Sequence, residues 1–393
     1  MTAALIADAV RTPMGRGKAT GALAPLHPAD LLAQALTALV ERTGIDPATV
    51  DDVLVGCVGQ NGEQSATVGR QAWLAAGYPV EVPSVTIERK CGSGQQAVDF
   101  AVQGVLAGAY DIVIAAGVES MSRVPMGSGR MGADPFGAGV RARFGELVPQ
   151  GVSAEMVAQR WSLTRQQLDE YSVESHRRAA ATATAGGFKN EIVPIRVDGC
   201  AGVSVDETIR PNSTMTAMAG LKPAFATEPY MTRFPGIEWK ITAGNSSQIT
   251  DGASALLIMS EGKAARLGLR PRARLVASAL AGDDPVLMLT GPIPATHKVL
   301  ARARMPVDAM DAVEVNEAFA PVPLAWNAEF GIDPARLNPR GGAIALGHPL
   351  GASGCRIMTT LINHLEHTGG HYGLQTMCEA GGMANATIVE RLG

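Results

Sequence analysis

Short apolar runs closed by glycine, proline or aspartate alternate along this chain with segments in which apolar residues recur every three or four positions. That is the pattern of buried strands alternating with amphipathic helices. Residues 3 to 10 read as a strand, and a glycine-rich turn covers 15 to 21. Asp30 is placed to cap a helix through Leu31, Leu32, Ala35, Leu36 and Leu39 that ends at Gly44. Asp46 and Pro47 open a turn, 52 to 59 is a second strand, and a helix follows around 68 to 76. The β-branched run Val85, Thr86, Ile87 gives way to Cys91-Gly92-Ser93-Gly94 and then to apolar residues at helical spacing, Ala97, Phe100, Ala101, Gly104 and Val105. Residues 112 to 117 are a further strand, ending on Val118-Glu119-Ser120.

The same order returns later. Residues 275 to 281 are strand-like, 296 to 304 are helical, and 306 to 319 mimic 46 to 57. A glycine-dense turn within 341 to 354 then precedes a helix, as Cys91 does, and the strands 372 to 377 and 385 to 390 close the chain. From Asp51 to Cys91 is 40 residues (91 − 51), and from Asp311 to His348 is 37 (348 − 311). These observations predict an α/β protein of two similar βαβαβαββ halves, each bringing a loop to a shared cleft. Residues 121 to 239 break the pattern: glycine, methionine and arginine crowd 123 to 145, 153 to 185 is helical, and 194 to 239 is irregular. The expected division is therefore 1–120 with 240–268 as the N-terminal half, 121–239 as an inserted loop domain, and 269–393 as the C-terminal half.

Composition narrows the function classes. With 46% apolar and 18% charged residues the 393-residue chain reads as an ordinary soluble globular protein. A net charge of −4 offers nucleic acid or an anionic membrane no bulk attraction, so an anionic ligand must be held by local donors. No apolar run is long enough for a transmembrane helix, and the N-terminus lacks a basic leader. Five widely spaced cysteines, 57, 91, 200, 355 and 378, have no metal or redox spacing and predict reduced thiols in the cytoplasm. The pair His364 and His367 reads as surface residues, and no metal site is expected. The run 341 to 354 lacks dinucleotide-loop spacing.

Cys91 carries the first candidate chemistry. At a strand-to-helix junction, free helix N–H groups and the helix dipole point at its sulfur and favour thiolate, which makes it a candidate nucleophile. The competing reading is a small buried hydrophobe before a glycine turn. In the second half, Asn316-Glu317 follows an apolar run, His348 lies between Gly347 and Pro349, and Cys378 precedes Glu379-Ala380-Gly381-Gly382. Together they form a Cys/His/Cys/Asn set.

On these residues the chain resembles a thiolase. The resemblance spans essentially the whole length: Arg11-Thr12-Pro13, the Cys91 loop, Gly117 to Ser122, Ala243-Gly244-Asn245-Ser246-Ser247, Asn316-Glu317-Ala318-Phe319, Gly341 to Gly354, and Cys378 to Met383. It implies two α/β halves layered α-β-α-β-α with a loop domain inserted in the first. It also implies a CoA-dependent acyltransferase, with coenzyme A as cosubstrate and no permanently bound cofactor, that works as a homodimer or homotetramer on acyl-CoA. Cys91 would be the nucleophile on a 3-oxoacyl-CoA, His348 its base, and Cys378 the acid that protonates the departing acetyl-CoA. One oxyanion hole would use His348 and a water held by Asn316. The other would use the backbone N–H groups of Cys91 and Ala380, where the family usually has glycine. Glu379 replaces an apolar residue and, pointing inward, would raise the pKa of Cys378. Arg210, in Asp206-Glu207-x-x-Arg210, would pack on the adenine of CoA, and Ser247 would lie near the pantetheine. Gln150 stands where short-chain members have an acyl-pocket methionine.

Phe225, Tyr230, Phe234 and Trp239 fall within fifteen residues. They would enclose an acyl tail larger than acetoacetyl, or else form a small satellite core or a subunit contact. Alternatives to a degradative thiolase are an acetoacetyl-CoA thiolase in the biosynthetic direction, a decarboxylating or HMG-forming condensing enzyme, against which Cys378 speaks, and a non-catalytic acyl-CoA or sterol carrier.

Overall fold

The computed structural model describes residues 3 to 199 and 202 to 393, so Cys200 lies outside the described residues. These form ten strands: β1 (Ala4–Arg11), β2 (Gly15–Arg16), β3 (Asp52–Gly56), β4 (Ser84–Ile87), β5 (Ile112–Ser120), β6 (Thr250–Ser260), β7 (Ala273–Gly282), β8 (Ala312–Val315), β9 (Tyr372–Glu379) and β10 (Met383–Arg391). They make one mixed sheet in the order β4-β3-β5-β6-β1-β7-β10-β9-β8, with β2 beside β6. Within it β3, β5, β6 and β1 are repeated by β8, β9, β10 and β7. Each set has one parallel and two antiparallel pairings in the same order. The sets abut where β1 meets β7, through Leu5↔Arg274 and Ile6↔Ala273.

The repeat has a fixed offset. Asp52 pairs with Val113 and Ala312 with Gly373, both 260 residues on (52 + 260 = 312, 113 + 260 = 373). Side chains obey it too. Asp51 accepts from Asp111 N and Ile112 N at 2.6 and 2.9 Å, and Asp311 accepts from His371 N and Tyr372 N at the same two distances. With this offset the counterpart of Cys91 is Gly351 rather than His348, whose own counterpart is Glu88. The unequal spacings of 40 and 37 residues therefore mark different positions of the two turns.

Helices Ser93–Leu106 and Leu350–Thr368, one from each half, pack against one another and against strands of both halves. Their backbones touch because the contact is made of glycine. A Cβ on Gly354 would stand 2.0 Å from Gln95 N, and one on Gly94 would stand 3.0 Å from Cys355 N. These two contacts are again related by the 260-residue offset.

Several boundaries differ from expectation. The first helix is Pro28–Thr43; His27 caps it by accepting from Ala29 N at 3.2 Å, while Asp30 lies inside the first turn. Proline at the first helical position fixes that start. The helix expected over 296 to 304 is Pro292–Ala303, and the run 153 to 185 is two helices, Gln150–Arg160 and Arg165–Thr184, parted at Ser162 with φ 53°. Phe100 is 41% exposed instead of facing the core. His364 is half-buried, and that burial lowers its pKa to about 4. No helix among the described residues is long and apolar enough to cross a membrane.

Candidate active site

The Cys91 turn is built by its neighbours. Ser93 Oγ donates to Lys90 O at 2.6 Å and accepts from Arg89 N at 2.8 Å, which folds residues 89 to 93 back on themselves and leaves Lys90 at φ 48°. Cys91 precedes the N-cap residue Gly92, and its side chain is buried with Leu350, Ile357 and Met377. Burial, and secondarily the charge of Glu379, push the thiol up to about 12, and its own backbone N–H and the Gln150 amide pull the other way. The expectation that helix donors favour a resting thiolate is not met: only the Cys91 N–H and the Gln150 amide favour the charged form, and dehydration outweighs them. Gln150 Nε2 faces the sulfur without closing a bond and has no partner among the described residues.

His348 lies between Gly347 and the helix Leu350–Thr368. A Cβ on Gly347, which has φ 86°, would strike Thr250 Oγ1 at 2.3 Å, and that hydroxyl instead accepts from His348 N at 3.0 Å. Ser353 Oγ donates to Pro349 O at 2.9 Å, so His348 Nδ1, 2.6 Å from the same oxygen, carries the proton. His348 Nε2 is then an acceptor, with Asn316 Nδ2 at 3.4 Å as its donor. Burial and then the nearby Arg356 charge lower the imidazole to about 3, so it is neutral across the physiological range. Asn316 is buried with Oδ1 unpartnered among the described residues.

Cys378 and Glu379 are adjacent on β9 and therefore face opposite sides of the sheet. Cys378 joins the second-half core, and burial, then the charges of Cys91 and Glu379, raise its thiol well above the ordinary value. Glu379 lies on the face of Met377, toward Cys91, and is fully buried. Its charge ranks higher among the influences on Cys91 than among those on Cys378. Ala380 is not in the left-handed region, which Gly381 and Gly382 occupy at φ 93° and 74°. Its backbone suits a residue with a Cβ.

The residues expected to meet CoA differ in exposure and partners. Arg210 is exposed, with Nη2 3.1 Å from Gln248 Oε1 and its backbone N–H donating to His176 Nδ1. Asp206 and Glu207 turn inward: Asp206 binds the buried Arg11 at 2.6 Å, and Glu207 accepts from Arg16 N and Ala22 N. Ser247 is half-buried, its N–H donating to Ala318 O two residues from Asn316. The four loop aromatics are half-buried. Phe225 sits on Gly151, where a Cβ would meet its ring at 2.2 Å, and stands edge-on to Phe319 at 6.0 Å.

Two positioning residues, Ser353 and Gln248, were not singled out from sequence, and a third, Glu317, was noted only as the neighbour of Asn316. Ser353 fixes the histidine tautomer. Glu317 accepts from Tyr171, Ser175, Asn338 and Ile344 N, which joins the Asn316 loop to the His348 segment. Gln248 Nε2 donates to Thr208 O and Ile344 O at 2.8 and 2.9 Å, tying the insert to that segment. Their partners lie far along the chain, and a serine at i+5 from a histidine carries no signal by itself.

Residues 4–262 match the family model described as thiolase, N-terminal domain, and 269–391 the one described as thiolase, C-terminal domain. The chain is 47% identical to the steroid 3-ketoacyl-CoA thiolase FadA6 of Mycobacterium tuberculosis, with 100% of this chain and 95% of that protein aligned. It is 43% identical to a 3-ketoacyl-CoA thiolase of Vibrio cholerae over the whole of both. The crystal structure of the Bacillus anthracis acetyl-CoA acetyltransferase superposes with TM-score 0.89 at 35% identity, covering 100% of this chain and 99% of that one. With the repeated sheet, these matches establish that the chain belongs to the thiolase family.

Proposed function

We propose that the chain cleaves 3-oxoacyl-CoA with CoA into acetyl-CoA and a shortened acyl-CoA, through an acyl-enzyme on Cys91. The observations that carry this reading are a neutral histidine, oriented with its free Nε2 toward Asn316, and two buried thiols, Cys91 and Cys378, close enough for the charge of Cys91 to raise the pKa of Cys378.

In the first stage, Cys91 sulfur attacks the 3-oxo carbon while its proton passes to His348 Nε2. Neither group ionises beforehand, since burial holds the thiol near 12 and the imidazole near 3, so proton transfer accompanies C–S bond formation. The C2–C3 bond then breaks, the acyl group stays on Cys91, and Cys378 gives its proton to C2 of the departing acetyl-CoA enolate. In the second stage, CoA sulfur displaces Cys91 from the thioester. The CoA proton restores Cys378, and His348 returns its own to Cys91. N–H donors from Cys91 and Ala380, and Asn316 with His348, would meet the oxyanions. Arg210 and Ser247 would contact CoA, which is a substrate in this scheme, with no resident cofactor required. The enzyme would work as a homodimer or homotetramer in the cytoplasm, where its four described cysteines, all free and buried, would stay reduced.

For the acyl group we favour chains larger than acetoacetyl. Gln150 faces Cys91, Phe225 packs on the next residue, Gly151, and the similar mycobacterial protein is named for a steroid 3-ketoacyl-CoA. Comparing kcat/KM for acetoacetyl-CoA with that for long-chain and ring-bearing 3-oxoacyl-CoAs tests this. A preference for acetoacetyl-CoA would remove the large-substrate reading and leave the biosynthetic one.

A further inference from the structure

Glu379 is the second-half counterpart of Glu119 (119 + 260 = 379). Glu119, at the end of β5, is buried and accepts from Val58 N, Gly59 N, Gln64 Nε2 and Gly351 N at 3.0, 2.9, 2.7 and 2.8 Å. Gly351 is in turn the counterpart of Cys91. Glu379, at the end of β9, is thus directed at the nucleophile turn as Glu119 is directed at the turn after His348. The difference lies in the donors. The carboxyl of Glu379 fills the space where a Cβ on Gly92 would stand, with Oε1 2.0 Å from that position, and neither oxygen has a partner among the described residues. The N–H equivalent to that of Gly351 belongs to Cys91, where it acts on the sulfur. At the same position, 2.8 Å from it, is Asn385 Nδ2, which donates to Gly92 O at 3.1 Å; Asn385 Oδ1 is unpartnered.

We propose that Glu379 is a positioning residue for acyl transfer that works as a neutral acid, its O–H completing Asn385 Oδ1 and so bracing the Gly92 carbonyl beneath Cys91. This rests on Cys91 being the nucleophile. As a carboxylate Glu379 would have no hydrogen-bonded donor among the described residues and would set negative charge against a sulfur and an oxyanion that must both carry it in the transition state. The charged and titratable groups facing it are Arg89 and Glu88 before the turn, Asp99 on the helix after it, Cys91, and Cys378 on its own strand. Arg89 favours ionisation, Asp99 and Glu88 oppose it, and burial dominates, bringing the carboxyl to about 8.

The test compares wild type with Glu379→Gln and Glu379→Ala from pH 6 to 10. Single-turnover acylation by acetoacetyl-CoA is read by intact mass, and the rate of Cys91 alkylation by iodoacetamide at pH 10 is read separately. Wild-type acylation should fall severalfold above pH 8. The Gln variant should keep the neutral rate and lose that fall, and the Ala variant should be about tenfold slower throughout. Alkylation at pH 10, where the thiol is still mostly protonated, should be about tenfold faster in the Gln variant, as for a thiol whose pKa is lower by about one unit. An unchanged alkaline fall and alkylation rate in the Gln variant, or a Gln variant as slow as Ala, would overturn the proposal. Should the Ala variant fail to fold, the Gln variant and the alkylation rate decide. If no enzyme acquires acyl mass at Cys91, the nucleophile reading fails, and the alkylation rate still tests the charge contact.

Discussion

At Cys91 two effects oppose each other, and their sizes decide the outcome. A helix N-terminus stabilises an adjacent anion by at most about 2 kcal/mol. The rise of the thiol from 9.0 to about 12 corresponds to roughly 4 kcal/mol in favour of the protonated form. The motif announces a nucleophile, but the burial that sets its charge comes from Leu350, Ile357 and Met377, some 260 to 290 residues away, and is silent in the local sequence. The unliganded enzyme should therefore react with iodoacetamide slowly at pH 7 and faster up to at least pH 10; a plateau reached by pH 8 would contradict this. At His348 the tautomer depends on Ser353. Ser353→Ala should lower kcat about tenfold with KM little changed, and His348→Ala should lower it by about 10² to 10⁴. An equal rise in KM with constant kcat in the serine variant would assign Ser353 to substrate binding instead.

At the scale of elements, the period of apolar residues identified strands and helices, and the resemblance between 46–57 and 306–319 gave the duplication its true offset. What it did not give was the match between the two functional turns, because Cys91 and His348 occupy different positions in them. Strand alternation also separates Cys378 from Glu379, yet which face meets Cys91 is decided by the helix Ser93–Leu106, packed from the other half. Helix starts were missed where proline, at 28 and 292, marks the first turn more strongly than the capping residue chosen. The crossing of the two central helices makes the sharpest prediction here. Gly354→Ala forces a Cβ to 2.0 Å from backbone N of Gln95 and should cost about 1–3 kcal/mol of stability with matching loss of activity. Gly282→Ala, whose Cβ would meet nothing, should cost far less. Equal thermal midpoints for the two variants would show that the helices can slide apart freely.

Across the whole molecule, several ionisable groups are buried in the interior, and their pKa shifts set how stability follows pH. Burial first, ahead of any neighbour, raises Asp99 and Glu155 to about 7 and Glu314 and Glu379 to about 8. A carboxyl with a raised folded pKa keeps its proton in the native state after the unfolded chain has lost it, so each costs stability as pH climbs from about 4 to about 8. His176, His348 and His364 are lowered to about 4, 3 and 4, again chiefly by burial, and cost stability as pH falls below 6.5. The two sets offset one another between about pH 4.5 and 6.5. Above that window the carboxyls act alone, so the urea midpoint should be lower at pH 8.5 than at pH 6, and a midpoint that rises would contradict the assignment. The proposed function turns on one event, transfer of an acyl group to the sulfur of Cys91. Its most direct test is the intact mass of wild type and Cys91→Ser after mixing with a 3-oxoacyl-CoA in the absence of free CoA. Wild type should gain the mass of the shortened acyl group and Cys91→Ser none; an adduct of that mass retained by the serine variant and mapped to Cys378 or elsewhere would contradict the account.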